Sequence, residues 1–140
     1  MLARMGLKDT ALSAQMLGIA EWERDGLIAF VEATEAGTIV HWRCKIRPIV
    51  NWLFNMREAC EDNECGTVCC IGGFVGLWSG MSPEKATRYV SGASAPLNGL
   101  YYPYLAHHQW SRITPKRASE VVRDYLINGV IRWPSRQVAS

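Results

Sequence analysis

CGTVCCIGGFVGLWSG, residues Cys65 to Gly80, is the stretch on which the fold turns. It lies inside a run of 19 positions without a charge, from Cys65 to Pro83. That run is close to the length that crosses a bilayer. Glycines at 66, 72, 73, 76 and 80, with Thr67, Ser79, Ser82 and Pro83, dilute it, and no basic cluster flanks one side as membrane orientation favours. The stretch therefore reads as a buried core helix from about Thr67 to Ser79. Cys69, Gly72, Gly73, Gly76 and Gly80 fall on one stripe of it. Each helical glycine costs about 1 kcal/mol against alanine, which close packing of another backbone can recover. Val68, Ile71, Phe74, Val75, Leu77 and Trp78 make the other faces apolar. A helix apolar all round is buried all round.

Toward the N-terminus, Asp9 or Thr10 can cap a helix through ALSAQMLGIAEWER, with Leu12, Met16 and Ile19 on one face and Gly26 as its stop. Leu27–Glu35 is a second helical stretch ended by Gly37. Thr38–Trp42 is a short strand or the approach to a helix. Pro48 suits a first helical turn, and Ile46, Ile49, Val50, Leu53 and Phe54 recur with helical spacing. Glu58–Glu64 is an acidic connection.

Toward the C-terminus, Ser82-Pro83-Glu84 opens a short helix to about Val90. Ser91–Pro103 reads as a loop. Thr114-Pro115 opens a last helix with Ala118, Val121, Val122, Tyr125 and Leu126 on its apolar face, stopped by Asn128-Gly129. Val130–Trp133 is an extended coda. The expected fold is mainly α, a single-domain helical bundle over residues 1–140 around the Gly-rich helix, with room for a short β element.

The whole chain has 140 residues, a formal charge of +2, 49% hydrophobic residues, six Trp and five Cys. That composition is globular, and the near-neutral charge argues against a protein living on phosphate backbone. Five cysteines, four of them at 60, 65, 69 and 70 with Cys44 apart, are odd in number and bunched. A secreted disulfide framework is usually even and spread, so reduced thiols in the cytoplasm are expected. The first ten residues lack a secretory apolar run, and no Asn-x-Ser/Thr site occurs.

Cys65-Gly66-Thr67, Cys70-Ile71 and Gly73, followed by Ile113-Thr114-Pro115, Ala118, Gly129 and Trp133, resemble a small bacterial and phage family of no assigned activity. The likeness covers the C-terminal half and departs from the pattern in an additional Cys69. It implies a helical fold and a bacterial or phage origin, and it implies no chemistry.

Three kinds of chemistry compete with simple protein contact. Zinc takes four thiolates or imidazoles, and Cys60, Cys65, Cys69 and Cys70 with His107 are the candidate ligands. No Cys-x2-Cys pair is present, and adjacent helical cysteines diverge, so buried thiols acting as small hydrophobes are the plainer account. Cys65 before a helix is the candidate nucleophile, with His107 or His108 as its base. Arg43, Lys45, Arg47 and Arg57, with the basic residues of 112–136 and Trp42, Trp52, Trp110 and Trp133, are the candidate nucleic-acid surface. On the last helix, Glu120 can instead neutralise Lys116 and Arg123.

Walker, G-x-G-x-x-G, H-E-x-x-H and G-x-S-x-G patterns do not occur. The favoured reading is a non-enzymatic accessory protein that binds another protein, such as a phage-encoded inhibitor of a host system, without a cofactor. Arg, Trp and Tyr are the residues richest at binding hot spots. The segment LNGLYYPYLAHHQW therefore nominates Tyr101, Tyr102, Tyr104, His107, His108 and Trp110, with Arg112, as the contact surface. The same rings could alternatively fold back over the Gly-rich helix.

Overall fold

The computed structural model describes residues 6–41, 52–63, 66–105 and 107–134; at 61–63, 66, 107 and 108 it describes the backbone alone. Trp42, Arg43, Cys44, Lys45, Ile46, Arg47, Pro48, Ile49, Val50 and Cys65 lie outside the described residues, as does Arg136. The fold is mainly α with a small sheet. Its helices are α1 (Leu7–Thr10), α2 (Ala14–Leu17), α3 (Glu21–Glu35), α4 (Ile71–Trp78), α5 (Pro83–Ser91), α6 (Ala95–Tyr101) and α7 (Pro115–Asn128), with a 3-10 helix at His107–Arg112. The strands are β1 (Ile39–His41), β2 (Trp52–Phe54), β3 (Cys60–Asn63) and β4 (Gly66–Cys69). They pair in the order β1-β2-β4-β3, with β1–β2 and β2–β4 parallel and β3–β4 antiparallel.

The central helix is shorter than its hydrophobic run. β-branched Thr67 and Val68 extend as β4 between two strand neighbours, and only from Ile71 does the chain turn helical. Cys70 is the N-cap, its Sγ accepting the Gly73 N–H at 3.4 Å. The glycine stripe survives as a packing device. A Cβ on Gly76 would stand 3.1 Å from Ala86 Cβ, and one on Gly72 would stand 2.8 Å from the Tyr101 ring. One on Gly73 would fall on the Ala59 carbonyl oxygen. α5 and α6 can thus lie almost on the α4 backbone.

Several expectations change for related reasons. Gly26 does not stop a helix; it lies inside α3, where a Cβ would meet Val75 Cγ1 at 2.9 Å. It marks a helix crossing. The true break is Gly18, in the left-handed region at φ 71°, which ends α2 and leaves Met16 72% exposed rather than on a buried face. Asp9 and Thr10 belong to α1 rather than capping a longer helix. Leu53 and Phe54, expected on a helix, are buried in β2, and the acidic connection is partly β3. The loop at 91–103 contains α6. α5 and α7 form as expected, with Ser82 Oγ accepting from Lys85 N–H and Thr114 Oγ1 from Arg117 N–H. Gly129 ends α7 at φ 73°.

The core is one cluster in which Phe30, Phe54 and Phe74 stack between α3, β2 and α4, with Trp52 and Trp78 at its rim. Across α3, the buried Arg24 guanidinium donates to the carbonyls of Leu12 at 2.7 Å, Lys8 at 2.8 Å and Ala11 at 3.3 Å. It clips α1 and the link to α2 onto α3, because helices this short do not hold themselves. Arg24→Met keeps the stem's packing and removes these bonds. It is expected to cost about 2 kcal/mol in urea unfolding and to speed amide exchange across residues 7–17.

Candidate functional site

Strand register places Cys60 directly opposite Cys69, and their sulfurs stand 2.9 Å apart. Cys69 is buried and Cys60 half-buried. Cys70 points the other way, toward the Ala59 carbonyl at 3.8 Å. Burial pushes its thiol up to about 11, against the lowering pull of the Gly73 and Gly72 N–H groups. The helix N-terminus that was to activate Cys65 therefore belongs to Cys70 and Ile71, and there burial outweighs it. Cys65 itself falls between β3 and β4 in sequence and lies outside the described residues. Among the described residues, no three His, Cys, Asp or Glu side chains converge as a metal site. Cys65 and the imidazoles of His107 and His108 are not among the side chains described.

The tyrosine-rich segment divides. Tyr101 is buried under α4, and its hydroxyl lies 2.6 Å from that of Tyr89. Tyr89 in turn donates to Glu23 Oε2 at 2.6 Å, so Tyr101 is the donor to Tyr89. Glu23 Oε1 accepts the Ala20 N–H at 2.9 Å. Burial, followed by the Glu23 hydrogen bond and charge, raises Tyr89 far above the ordinary tyrosine range; burial and the Tyr89 contact do the same to Tyr101. These phenols stay protonated and act as core. Tyr102 is half-buried and donates to Val90 O at 3.1 Å, and Trp110 donates to Leu105 O at 3.3 Å. Tyr104, 88% exposed, and Arg112 are the nominated side chains that face outward among those described.

Tyr104 is not isolated. Its ring approaches Gly99, as does Ile131, and Trp133 Nε1 donates to Gly99 O at 2.9 Å. Val130 and Ile127, both partly bare, flank Gly129, which rests against Leu12, and Leu12 leads into α2 and Met16. Tyr104 and the C-terminal coda thus meet at Gly99, and Met16 in α2 and Ile127 in α7 are further exposed apolar side chains. Composition hinted at Tyr104, but Met16 was hidden by an apparent helical period that Gly18 interrupts. A separate cleft of about 320 Å³ lies between α3 and α4, walled by Trp22 and Trp78, with the Asp25 carboxylate at its side.

The nucleic-acid pattern is diluted by its partners. Trp52 packs edge-on against Phe74 and Trp78, Trp110 and Trp133 are hydrogen-bonded to backbone, and Arg132 pairs with Asp124 at 2.8 Å. Arg123 pairs with Glu35 rather than Glu120, and Glu120 lies 4.0 Å from Arg117 rather than against Lys116. The uncharged run at 65–83 is divided between β4 and α4, and no helix among the described residues is long and apolar enough to cross a membrane. No family model matches the chain, and neither a curated protein nor a solved structure matches it.

Proposed function

We propose that the protein, of bacterial or phage origin, acts in the bacterial cytoplasm as a small accessory protein that binds another protein through exposed apolar side chains around Tyr104. The observation that carries this reading is Tyr104. A ring left 88% exposed beside Ile131, whose chain neighbour Val130 is 42% exposed, is apolar surface that folding does not use. Amphipathic Tyr supplies large contact area at low entropic cost, and contiguous exposed apolar residues mark partner surfaces. An inhibitor of a host system is one form such an accessory protein takes.

The paired substitutions Tyr104→Ser and Val130→Ser test it. Both side chains are exposed, so stability is expected to stay within about 0.5 kcal/mol of the parent. A partner retained by the parent from its host's extract is expected to bind about 30-fold more weakly, as loss of a hot spot near 2 kcal/mol implies. Equal retention by parent and variant removes this surface from consideration.

A further inference from the structure

The Cys60–Cys69 pair is a built arrangement that protein binding does not use. Directly opposed residues on antiparallel strands have Cα atoms about 4.5–5.5 Å apart, inside the range of about 4.4–6.8 Å that disulfides span. Their sulfurs are already 2.9 Å apart, so closing to a bond of about 2.05 Å asks for a movement of under about 1 Å. The two positions are fixed from both sides. Cys69 O accepts the Asn55 N–H at 3.1 Å, and Cys60 O lies 3.3 Å from the Thr87 hydroxyl, which it shares with Pro83 O at 2.9 Å. The absence of a side chain at Gly73 lets α4 approach the Cys69 Cβ closely, which holds this end of β4 against the helix.

We propose that Cys60 and Cys69 form a reversible disulfide site whose co-reactant is a small-molecule disulfide such as glutathione disulfide. Half-buried Cys60 is met first. It loses its proton, and its thiolate attacks one glutathione sulfur; a mixed disulfide forms at Cys60 and one glutathione thiolate departs. Cys69, deprotonated in turn, attacks Cys60 Sγ and expels the second glutathione thiolate. The two cysteines lose two electrons between them, glutathione disulfide gains both, and the two thiol protons pass to the departing glutathiones. Cys70 is not the partner in this step: its sulfur lies 3.8 Å from the Ala59 carbonyl, while the Cys60 and Cys69 sulfurs are the pair 2.9 Å apart.

The test is incubation of the full chain with excess glutathione disulfide, then alkylation of remaining thiols under denaturing conditions and mass mapping. Cleavage after Glu61 and Glu64 separates Cys60 from the peptide that carries Cys65, Cys69 and Cys70, and fragmentation of that peptide shows which of the three lacks the alkyl group. The expected result is loss of two of the five alkylatable thiols, a crosslink joining the Cys60 and Cys69 peptides, and full recovery on reduction. Cys70→Ser is expected to oxidise as the parent does, whereas Cys60→Ser leaves a monothiol at 69 that forms no internal bond there. Mapping the parent chain needs no variant to fold. A crosslink from Cys65 or Cys44 to either cysteine, five thiols still alkylatable, or stoichiometric zinc shielding the pair would each overturn the proposal.

Discussion

Gly73→Ala is expected to cost about 3 kcal/mol or more in urea or guanidinium unfolding, and Gly73→Val to leave no cooperative transition. The position a Cβ would take is already held by the Ala59 carbonyl oxygen, with Ala59 C at 2.8 Å and Cys69 Cβ at 2.9 Å. These are backbone or backbone-attached atoms, and the backbone there is tied down. Cys70 N–H donates to Glu58 O at 2.6 Å, and Glu58 N–H to Asn55 O at 3.1 Å. Relief therefore requires α4 to lift from β3, which opens the core beneath Phe74. Better helix propensity returns only about 1 kcal/mol. Gly72→Ala meets the Tyr101 ring and a Val90 methyl, side chains that can give somewhat, so its cost is smaller. Gly76→Ala meets its neighbours at 3.1–3.2 Å and costs least. The order Gly73, then Gly72, then Gly76 is the check; a Gly73→Ala variant as stable as Gly76→Ala contradicts the close seating of α4 on the Ala59 carbonyl.

The helical glycines 72, 73 and 76 were legible in the sequence because helical spacing is local, although Cys69 falls in β4 and Gly80 beyond α4, and so were α5 and α7, whose Ser82-Pro83 and Thr114-Pro115 entries announce themselves. The sheet was not. Leu53 and Phe54 continue an apolar periodicity that suits a helix, while their burial as β2 depends on β4, some fifteen residues further on in sequence. Cys60–Asn63 looks like an acidic turn and becomes a strand only because β4 is there to pair with it. Gly26 carries the same ambiguity, since a glycine can end a helix or admit a neighbour, and Val75 decides which. The site followed the fold. With Cys69 assigned to a helix, it could not face Cys60, so the cysteine cluster was visible but its pairing was not. Tyr101 and Tyr104 are alike in composition, and the turn of α6 sends one into the core and leaves the other outside.

Raising the pH above 10 is expected to unfold the protein cooperatively, in a window set by buried groups held protonated. Cys70 moves from 9.0 up to about 11 and Tyr125 from 10.0 up to about 12, both chiefly through burial. Tyr89 and Tyr101 are pushed higher still by burial and by the Glu23 carboxylate beside them. Each is an acid whose folded pKa exceeds its unfolded one. Below the unfolded value, both states carry the proton and stability is whole. Above it, the unfolded chain ionises while the folded one does not, so stability falls as pH rises. Each such group removes at most about 1.4 kcal/mol per pH unit. Allowing for screening at half-buried Tyr89, the set removes about 3 kcal/mol between pH 10 and 11, a large part of an ordinary domain's stability. The decline slackens for Cys70 near 11 and for Tyr125 near 12, where the folded state also begins to ionise. Guanidinium unfolding at stepped pH checks the slope, and in a Tyr104→Ser background, which removes the exposed phenol, phenolate absorbance is expected to rise chiefly with loss of the fold. Tyr89→Phe removes one proton linkage and is expected to flatten the slope, though it takes the phenol donor from Glu23 Oε2, leaving the carboxylate the Ala20 N–H at Oε1, and lowers stability at neutral pH by about 1–3 kcal/mol. Unchanged stability from pH 9 to 11, or phenolate appearing gradually near pH 10 with the fold intact in the Tyr104→Ser background, would show that the Glu23–Tyr89–Tyr101 chain is open to water.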